Sequence, residues 1–555
     1  MKFVLRYIKT LRHLKWQQIF YRIYYRFFTP KPYSKSTPIL RNSIGLWKSP
    51  QYHQSSTTDG IIFNFLNYKS KFYNNNNDDD ANANALSKLW RYNFHYQNDL
   101  NSSLSDSQFS ICHKLVTEWV LDNKDITGEG WEPYCISLRT VNWIKWISRL
   151  EKDQIDDRWL HSLASQIHIL DQTIEYHILG NHIFSNAKAL IFAGVFFGGE
   201  QGDHWLAKGI KIFQNCLTEQ FLSDGAYFEL SPMYHAIIMW DLADIIYLYK
   251  VSNLDELTHL SELSIKLFIK GQSWLKDIIH PDNDLSFFND TALGIAPTIN
   301  NFAEYSKMIG IEIPTNVKGK PLEGKLHSES GFGIIQWNDE HKIIADVGKI
   351  GPDHQPGHGH ADTLSCELSL FGQRVLVNSG ISTYNNNSNR YYERSTSAHN
   401  TIELNGENSS DVWASFRVAH RARPFDVKLL EEGHQFILCG SHDGYNRFLK
   451  RNIHSRRWLA NDHYLIIHDK IRGSFKKATA YWHFHPNVII NQLEKYSFSL
   501  KLMKGQVITF KIEGAKPKLI KSFWNAEFGL SIPNQTLCLD IIASELTTHI
   551  EWKMN

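Results

Sequence analysis

Apolar positions recur at three-four spacing in six successive stretches, 137–150, 159–176, 182–197, 204–221, 232–249 and 255–278. That period turns one face of a helix toward a core. The six are long, consecutive and joined by short polar or glycine-bearing links, so antiparallel helix pairs are the expected packing. The helical texture runs from about Leu86 to Phe302 without strand patterns between, which argues against a βαβ sheet. After about Lys320 the texture changes. The runs 331–337, 342–347, 364–370, 374–377, 399–404, 436–440, 464–468, 479–485 and 507–512 favour β structure and are separated by turn residues. Many short strands without helices between them predict an antiparallel sheet or sandwich. Three parts result: a segment 1–85, a helical domain 86–315 and a β domain 316–555. The change falls near 310–328, around Lys318-Gly319-Lys320-Pro321. A site between the two larger parts is the default expectation.

Composition narrows this only slightly. A chain of 555 residues implies two or three domains, and 42% hydrophobic content is ample for their cores. A formal net charge of +2 makes no global case for nucleic acid or an acidic partner, so any anion site must be local. The 17 Trp, 24 Tyr and 32 Phe suit sugar-stacking clefts as well as cores. The six cysteines (Cys112, Cys135, Cys216, Cys366, Cys439 and Cys538) form no CxxC pair, so neither a zinc knuckle nor a redox motif is present.

The first 28 residues are basic and aromatic, but charges interrupt every apolar run. They show neither the apolar core nor the small-residue cleavage site of a signal peptide, and no stretch reaches the roughly 20 apolar residues of a spanning helix. Two readings stand: a helix packed on its own domain, or one lying on a membrane surface. The run from Asn74 to Asp80 reads as a solvated loop, with a calcium site as the alternative.

Four polar clusters carry candidate chemistry. In Gly180-Asn181-His182, Asn181 opens a helix; it can cap it, or its amide can hydrogen-bond a substrate carboxylate. In 224–235, Ser231 is the expected N-cap and Pro232 the first helical residue. Tyr234 and His235 then sit in the first turn, at the positive end of the helix dipole, which attracts anions and favours a tyrosinate. The stretch 354–362 holds His354, His358 and His360 with glycines between. Proton transfer, metal ligation and a plain surface turn all remain open there. In 390–401, arginines can grip a carboxylate or sulfate bidentately, or belong to an ordinary charged loop. No carboxylate pair of the kind a glycosidase needs stands out.

In order and separation these motifs resemble the heparinase II/III superfamily of polysaccharide lyases. The most specific pieces are 181–190 (NHIFSNAKAL), 225–235 (GAYFELSPMYH), 358–362 (HGHAD) and 394–401 (RSTSAHNT). The resemblance extends from Trp90-Arg91-Tyr92, through Trp131-Glu132-Pro133-Tyr134 with Ser137, Asn142 and Trp143, to His483-Phe484-His485-Pro486. It implies an α+β multidomain chain, with an incomplete α/α toroid followed by an antiparallel β-sandwich. It implies β-elimination on an acidic, uronate-containing polysaccharide, glycosaminoglycan-like or capsular. The C5 proton is removed and the O4-linked sugar is lost.

By resemblance Asn181 neutralises the uronate carboxylate, helped by His235 or Arg139. Tyr234 protonates the leaving oxygen and can also act as base, while His358 is the base for the opposite epimer. Tyr384 assists from the β domain, with Tyr391 behind it. Arg139, His182, His235 and Arg394 form the implied substrate-binding set. Relatives carry a structural zinc, and the matching positions are His360, Asn378 and His399. Aspartate usually stands where this chain has Asn378, and a neutral amide oxygen is a weaker zinc ligand. His399 and Asn378 can instead form a hydrogen-bonded scaffold. The resemblance also implies the periplasm, although the first residues show no export signal.

Three other readings compete. A uronate C5-epimerase would use the same proton abstraction. A metal-dependent hydrolase is suggested by His358-x-His360-x-Asp362, part of the metallo-β-lactamase signature, but Thr363 replaces its final histidine and the strand-helix framework is missing. A non-catalytic glycan-binding or capsule-assembly protein is the third.

Overall fold

The computed structural model describes residues 2–36, 39–41, 47–71, 86–102, 109–312, 322–447 and 451–553. The 318–321 boundary stretch and the candidate calcium loop at 74–80 lie outside these residues.

The predicted order holds: helices first, antiparallel sheets second. The six predicted helices appear as Pro133–Ile147, Asp157–Gln172, Gly180–Phe196, Gly199–Gln220, Pro232–Ser252 and Thr258–Ile278, joined by Lys88–Tyr96, Phe109–Asp122 and Ile299–Ile309. Local chemistry sets their ends. Ser87, Asp156, Ser231 and Thr298 accept hydrogen bonds from first-turn amides. Pro133 and Pro232 occupy first-turn positions where no N–H is needed. Asn253 and Gly310 close two helices in the left-handed conformation. Gly180–Phe196 is buried on nearly every face and runs through the centre of an apolar cluster with Trp143, Trp159, Trp205 and Phe213.

Two large antiparallel sheets follow. The first runs Ala515–Glu527, Leu530–Ile541, Ala478–Phe484, Gln373–Leu376, Cys366–Leu370, His341–Asp346, Phe332–Trp337 and Leu322–His327, with Ile402–Leu404 paired beside Ala478–Phe484. The second runs Pro424–Glu432, Gln435–His442, Ile453–Ala460, Tyr464–Arg472, Glu545–Trp552, Val507–Glu513, Ser497–Lys501 and Ile489–Glu494. One apolar cluster draws on both, with Trp337, Leu368 and Trp482 from the first and Trp458, Ile467 and Phe510 from the second. Several strands escaped the sequence reading because they lie half in water. Ala515–Glu527 carries Lys516, Pro517, Lys518 and Lys521 at the sheet edge, where lysines and proline discourage further pairing.

The first two helices, Lys2–Leu11 and Trp16–Phe27, pack on the rest of the chain. On the sheet side, Arg6 pairs with Asp411 at 2.8 Å and Trp413 Nε1 donates to Thr10 at 3.2 Å. On the helical side, the Tyr25 hydroxyl donates to the Ile174 carbonyl at 2.7 Å, and Tyr21 packs on Tyr176 at 4.7 Å. Gln18 donates to the carbonyls of both Ile178 and His354, joining the two sides.

Candidate active site

Between the helical and sheet regions lies a cavity of about 1080 Å³, lined by Asn181, His182, Tyr234, His358 and Tyr384 among others. Five of the eleven sequence-predicted residues therefore meet in one place, brought from four separate segments.

The Tyr234 segment is as the sequence predicts. Ser231 Oγ accepts from the Tyr234 amide at 3.2 Å, and Pro232 begins the helix. The Tyr234 hydroxyl lies 3.1 Å from the Tyr384 hydroxyl, and its ring stacks on His358 with centroids 4.0 Å apart. Burial raises both phenols well above their ordinary pKa, so both carry their protons at neutral pH.

Asn181 departs from the N-cap alternative. Leu179 holds the cap position with φ +70°, Gly180 begins the helix, and the Asn181 side chain is directed elsewhere. Its Nδ2 donates to Glu229 Oε2 at 3.1 Å and lies 3.4 Å from His358 Nε2. Gly180 is required here: its φ is +58°, and a Cβ would collide with Glu229 Oε1. His182 Nδ1 meets Glu175 Oε1 at 2.9 Å. Burial opposes a charge on this imidazole, but Glu175 outweighs burial and raises its pKa, favouring the cation.

His358 is oriented by a residue the sequence reading did not single out. Its Nδ1 lies 2.8 Å from Asp290 Oδ2. Asp290 also receives Arg390 NH2 at 2.7 Å, Arg390 NH1, and His360 Nε2 at 2.9 Å. Burial disfavours the Asp290 carboxylate, but Arg390 and the two histidines overcome this and hold its pKa well below the ordinary value. An ionised carboxylate only accepts, so His358 carries its proton on Nδ1 and leaves the Nε2 lone pair available. Gly359, between the two histidines, has no room for a side chain, since a Cβ there would strike the Ile350 carbonyl oxygen.

The remaining predicted residues lie elsewhere. Arg139 is fully buried beneath the cavity wall, giving its guanidinium to Gln166 and to the carbonyls of His95 and Gly130 while stacking on Trp119 at 3.8 Å. His235 accepts from the Tyr227 amide at 3.0 Å and donates to the Gly271 carbonyl at 2.9 Å, so neither ring nitrogen is left for substrate. Arg394 ties the carbonyls of Gly359 and Ala414. All three side chains are satisfied within the protein, because a buried guanidinium or imidazole must find its partners locally. Arg390 does grip a carboxylate bidentately, but that carboxylate is Asp290. Tyr391 is exposed and bonds Asn386 at 2.8 Å.

Most of the donor atoms at the positions implied for zinc are already engaged. His360 Nε2 donates to Asp290, and His399 Nδ1 donates to the Ser395 carbonyl at 2.7 Å. The two remaining nitrogens face each other at 3.1 Å as lone pairs, an arrangement that needs a proton or a cation between them. Asn378 does not complete the set. Its Nδ2 donates to the Phe287 carbonyl at 3.0 Å and its Oδ1 accepts from the Asn400 amide at 3.2 Å. Among the described residues no group of three His, Cys, Asp or Glu side chains converges. Two neutral nitrogens without an anionic third donor do not fit a structural zinc centre.

Glu229 stands out in the sequence only as an acidic residue between Phe228 and Leu230, and Asp290, between Asn289 and Thr291, carries no local signal. Neither lines the cavity, so they do not form a glycosidase pair.

Comparison with known proteins follows the same division. The family model Heparinase II/III N-terminus matches residues 62–311, and the model Heparinase II/III-like, C-terminal matches 319–553. A heparin-sulfate lyase from Bacteroides stercoris is 25% identical over 380 residues, covering 64% of this chain and 53% of that protein. One from Pedobacter heparinus is 26% identical over 251 residues, covering 41% of this chain and 36% of that protein. This chain thus spans about half the length of these relatives or less. Among solved structures, heparinase III superposes with a TM-score of 0.69 at 18% identity, covering 96% of this chain and 88% of that one. Heparan sulfate lyase HepC from Pedobacter heparinus gives 0.56 at 17% identity, covering 84% and 77%. These likenesses concern the fold.

Proposed function

The chain belongs to the heparinase II/III family, and we propose that it is a polysaccharide lyase cleaving a uronate-containing, glycosaminoglycan-like glycan by β-elimination. The observation that carries this reading is the convergence of Asn181, Tyr234, His358 and Tyr384 on one cavity. The relatives named as heparin-sulfate lyases support the substrate class.

Each group has a role that its surroundings favour. A uronate bound with its carboxylate toward Asn181 meets an amide N–H and the His182 imidazole, whose pKa Glu175 raises. Together they lower the acidity barrier at C5 by stabilising the developing enolate. His182 takes the assisting role first expected of His235 or Arg139. The base removes the C5 proton, the electron pair forms the C4–C5 double bond, and the C4–O4 bond breaks. The Tyr234 hydroxyl gives its proton to O4, and its raised pKa keeps that proton in place until then. The His358 Nε2 lone pair accepts the C5 proton of one epimer. For the other epimer Tyr234 must first give up its proton through the Tyr384 hydroxyl at 3.1 Å; the tyrosinate then takes the C5 proton and returns it to O4 as the C4–O4 bond breaks.

The finer architecture belongs to the same proposal: an incomplete toroid of paired helices and a two-sheet sandwich. Support comes from the central burial of Gly180–Phe196 and from the single apolar cluster shared by both sheets. The His360–His399 pair is read as a scaffold behind Asp290, and no step is routed through a metal.

The test is a panel of uronate polymers followed by the ultraviolet absorbance of the conjugated enoate. Tyr234→Phe and His358→Ala are expected to lower turnover by about 10²–10⁴-fold on the epimer each serves. Solvent hydrogen exchange at C5 without unsaturated ends would identify an epimerase instead. Unchanged turnover in both variants would sink the assignment of these residues.

A further inference from the structure

The helices Lys2–Leu11 and Trp16–Phe27 each have two unlike faces. The inner face bridges the two regions and reaches the cavity through Tyr7, Thr10, Leu14 and Gln18. The outer face is apolar and exposed. Trp16, Phe20, Ile23 and Phe27 follow one another at helical spacing and are 77%, 50%, 59% and 82% exposed. Val4, Leu5 and Ile8 on the first helix continue the exposed apolar surface. Such a stripe is costly in water and calls for an occupant.

Charge names the occupant. Before Asp59 the chain holds eleven Lys and Arg and no Asp or Glu. Arg6 and Lys15 pair with Asp411 and Glu219 on the body of the protein. Arg12, Arg26 and Lys31 are exposed, beside or just beyond the stripe. Helices of ten and twelve residues are far shorter than the roughly 20 residues needed to span a bilayer. Apolar and aromatic residues on one face, with cations at its flanks, match a helix lying in the headgroup region of an anionic membrane.

We propose that these two helices dock the protein on an anionic lipid bilayer. Trp16, Phe20, Ile23 and Phe27 enter the acyl boundary, while Arg12, Arg26 and Lys31 contact lipid phosphates. Because the opposite face of the same helices lines the cavity, docking holds the cavity beside the membrane surface. Glycan chains anchored there would be met at high local concentration.

The test is sedimentation of the full chain with vesicles of phosphatidylglycerol and phosphatidylcholine in equal parts, against vesicles of phosphatidylcholine alone. The expected result is binding to the anionic vesicles only, weakened by salt. A triple variant Trp16→Ser, Phe20→Ser, Phe27→Ser is expected to reduce binding at least about tenfold. A second variant, Arg12→Gln, Arg26→Gln, Lys31→Gln, is expected to remove the preference for anionic lipid. Cleavage of a soluble substrate should stay within about twofold in both, since none of these side chains lines the cavity. No binding to anionic vesicles would overturn the proposal. So would a dimer of the full chain, seen by light scattering, that the triple variant abolishes, because a second copy would then cover the stripe.

Discussion

Two buried aspartates, one at the junction of the two regions and one inside the sheets, are held almost alike in unlike settings. Asp290 is gripped by Arg390, His358 and His360. Asp469, on Tyr464–Arg472, is gripped by Arg456 at 2.7 and 3.0 Å and by His454 at 2.7 Å. Both carboxyls are held below their ordinary pKa against burial, Asp469 at about 2. The difference lies in the far side of the histidine. His454 turns its other nitrogen to His442, whereas His358 presents Nε2 beside Asn181 in the cavity wall. A buried Asp-His-Arg cluster is thus a structural device by default. It becomes chemistry where one imidazole nitrogen reaches a space that substrate can enter.

The largest expected effect breaks this contrast at the cavity. Asp290→Asn leaves a shape but removes the anion that fixes the His358 tautomer. Turnover on the epimer that His358 serves should fall by about 10²–10⁴-fold, with KM changing less than about threefold. The parallel change Asp469→Asn should leave kcat within about twofold. If the two substitutions reduced kcat equally, the distinction between them would be lost.

Stability should show the reverse emphasis on pH. The Asp469 pKa is about 2 in the folded protein and ~3.9 in the unfolded chain. Its contribution, about 2–3 kcal/mol, is fully present above pH ~4 and is lost as pH falls through about 2. Denaturant titrations should therefore show wild-type stability dropping over that window, with that component absent in Asp469→Asn. At neutral pH the variant should be about 3 kcal/mol less stable, since Arg456 is left buried without its partner.

The smallest effect concerns the facing pair His360 and His399. Asn378→Asp offers the anionic oxygen that the present set lacks. Zinc affinity, measured by chelator competition, should rise at least about tenfold over wild type. Equal affinity in the two proteins would mean that position 378 does not face the pair.

How much was legible beforehand depended on range. The order of helices and strands, the Ser231 cap and the position of Tyr234 follow from periods and caps a few residues long. Asn181, Tyr234 and His358, expected from their motifs as catalytic residues, line one cavity. Arg139, His235 and Arg394 stand in equally recognisable motifs, yet they serve backbone carbonyls and amides. Nothing local distinguishes an arginine that meets a substrate from one that satisfies a buried turn. The sequence by itself determined which segments become helices or strands and which residues begin them, because those choices rest on neighbours along the chain. Only the tertiary structure decided that Asp290 meets His358 and Arg390, that Asn181 turns to Glu229, and that the first two helices bridge the cleft. Those pairings join positions up to hundreds of residues apart, and their energies exist only once the chain path has removed the water between them.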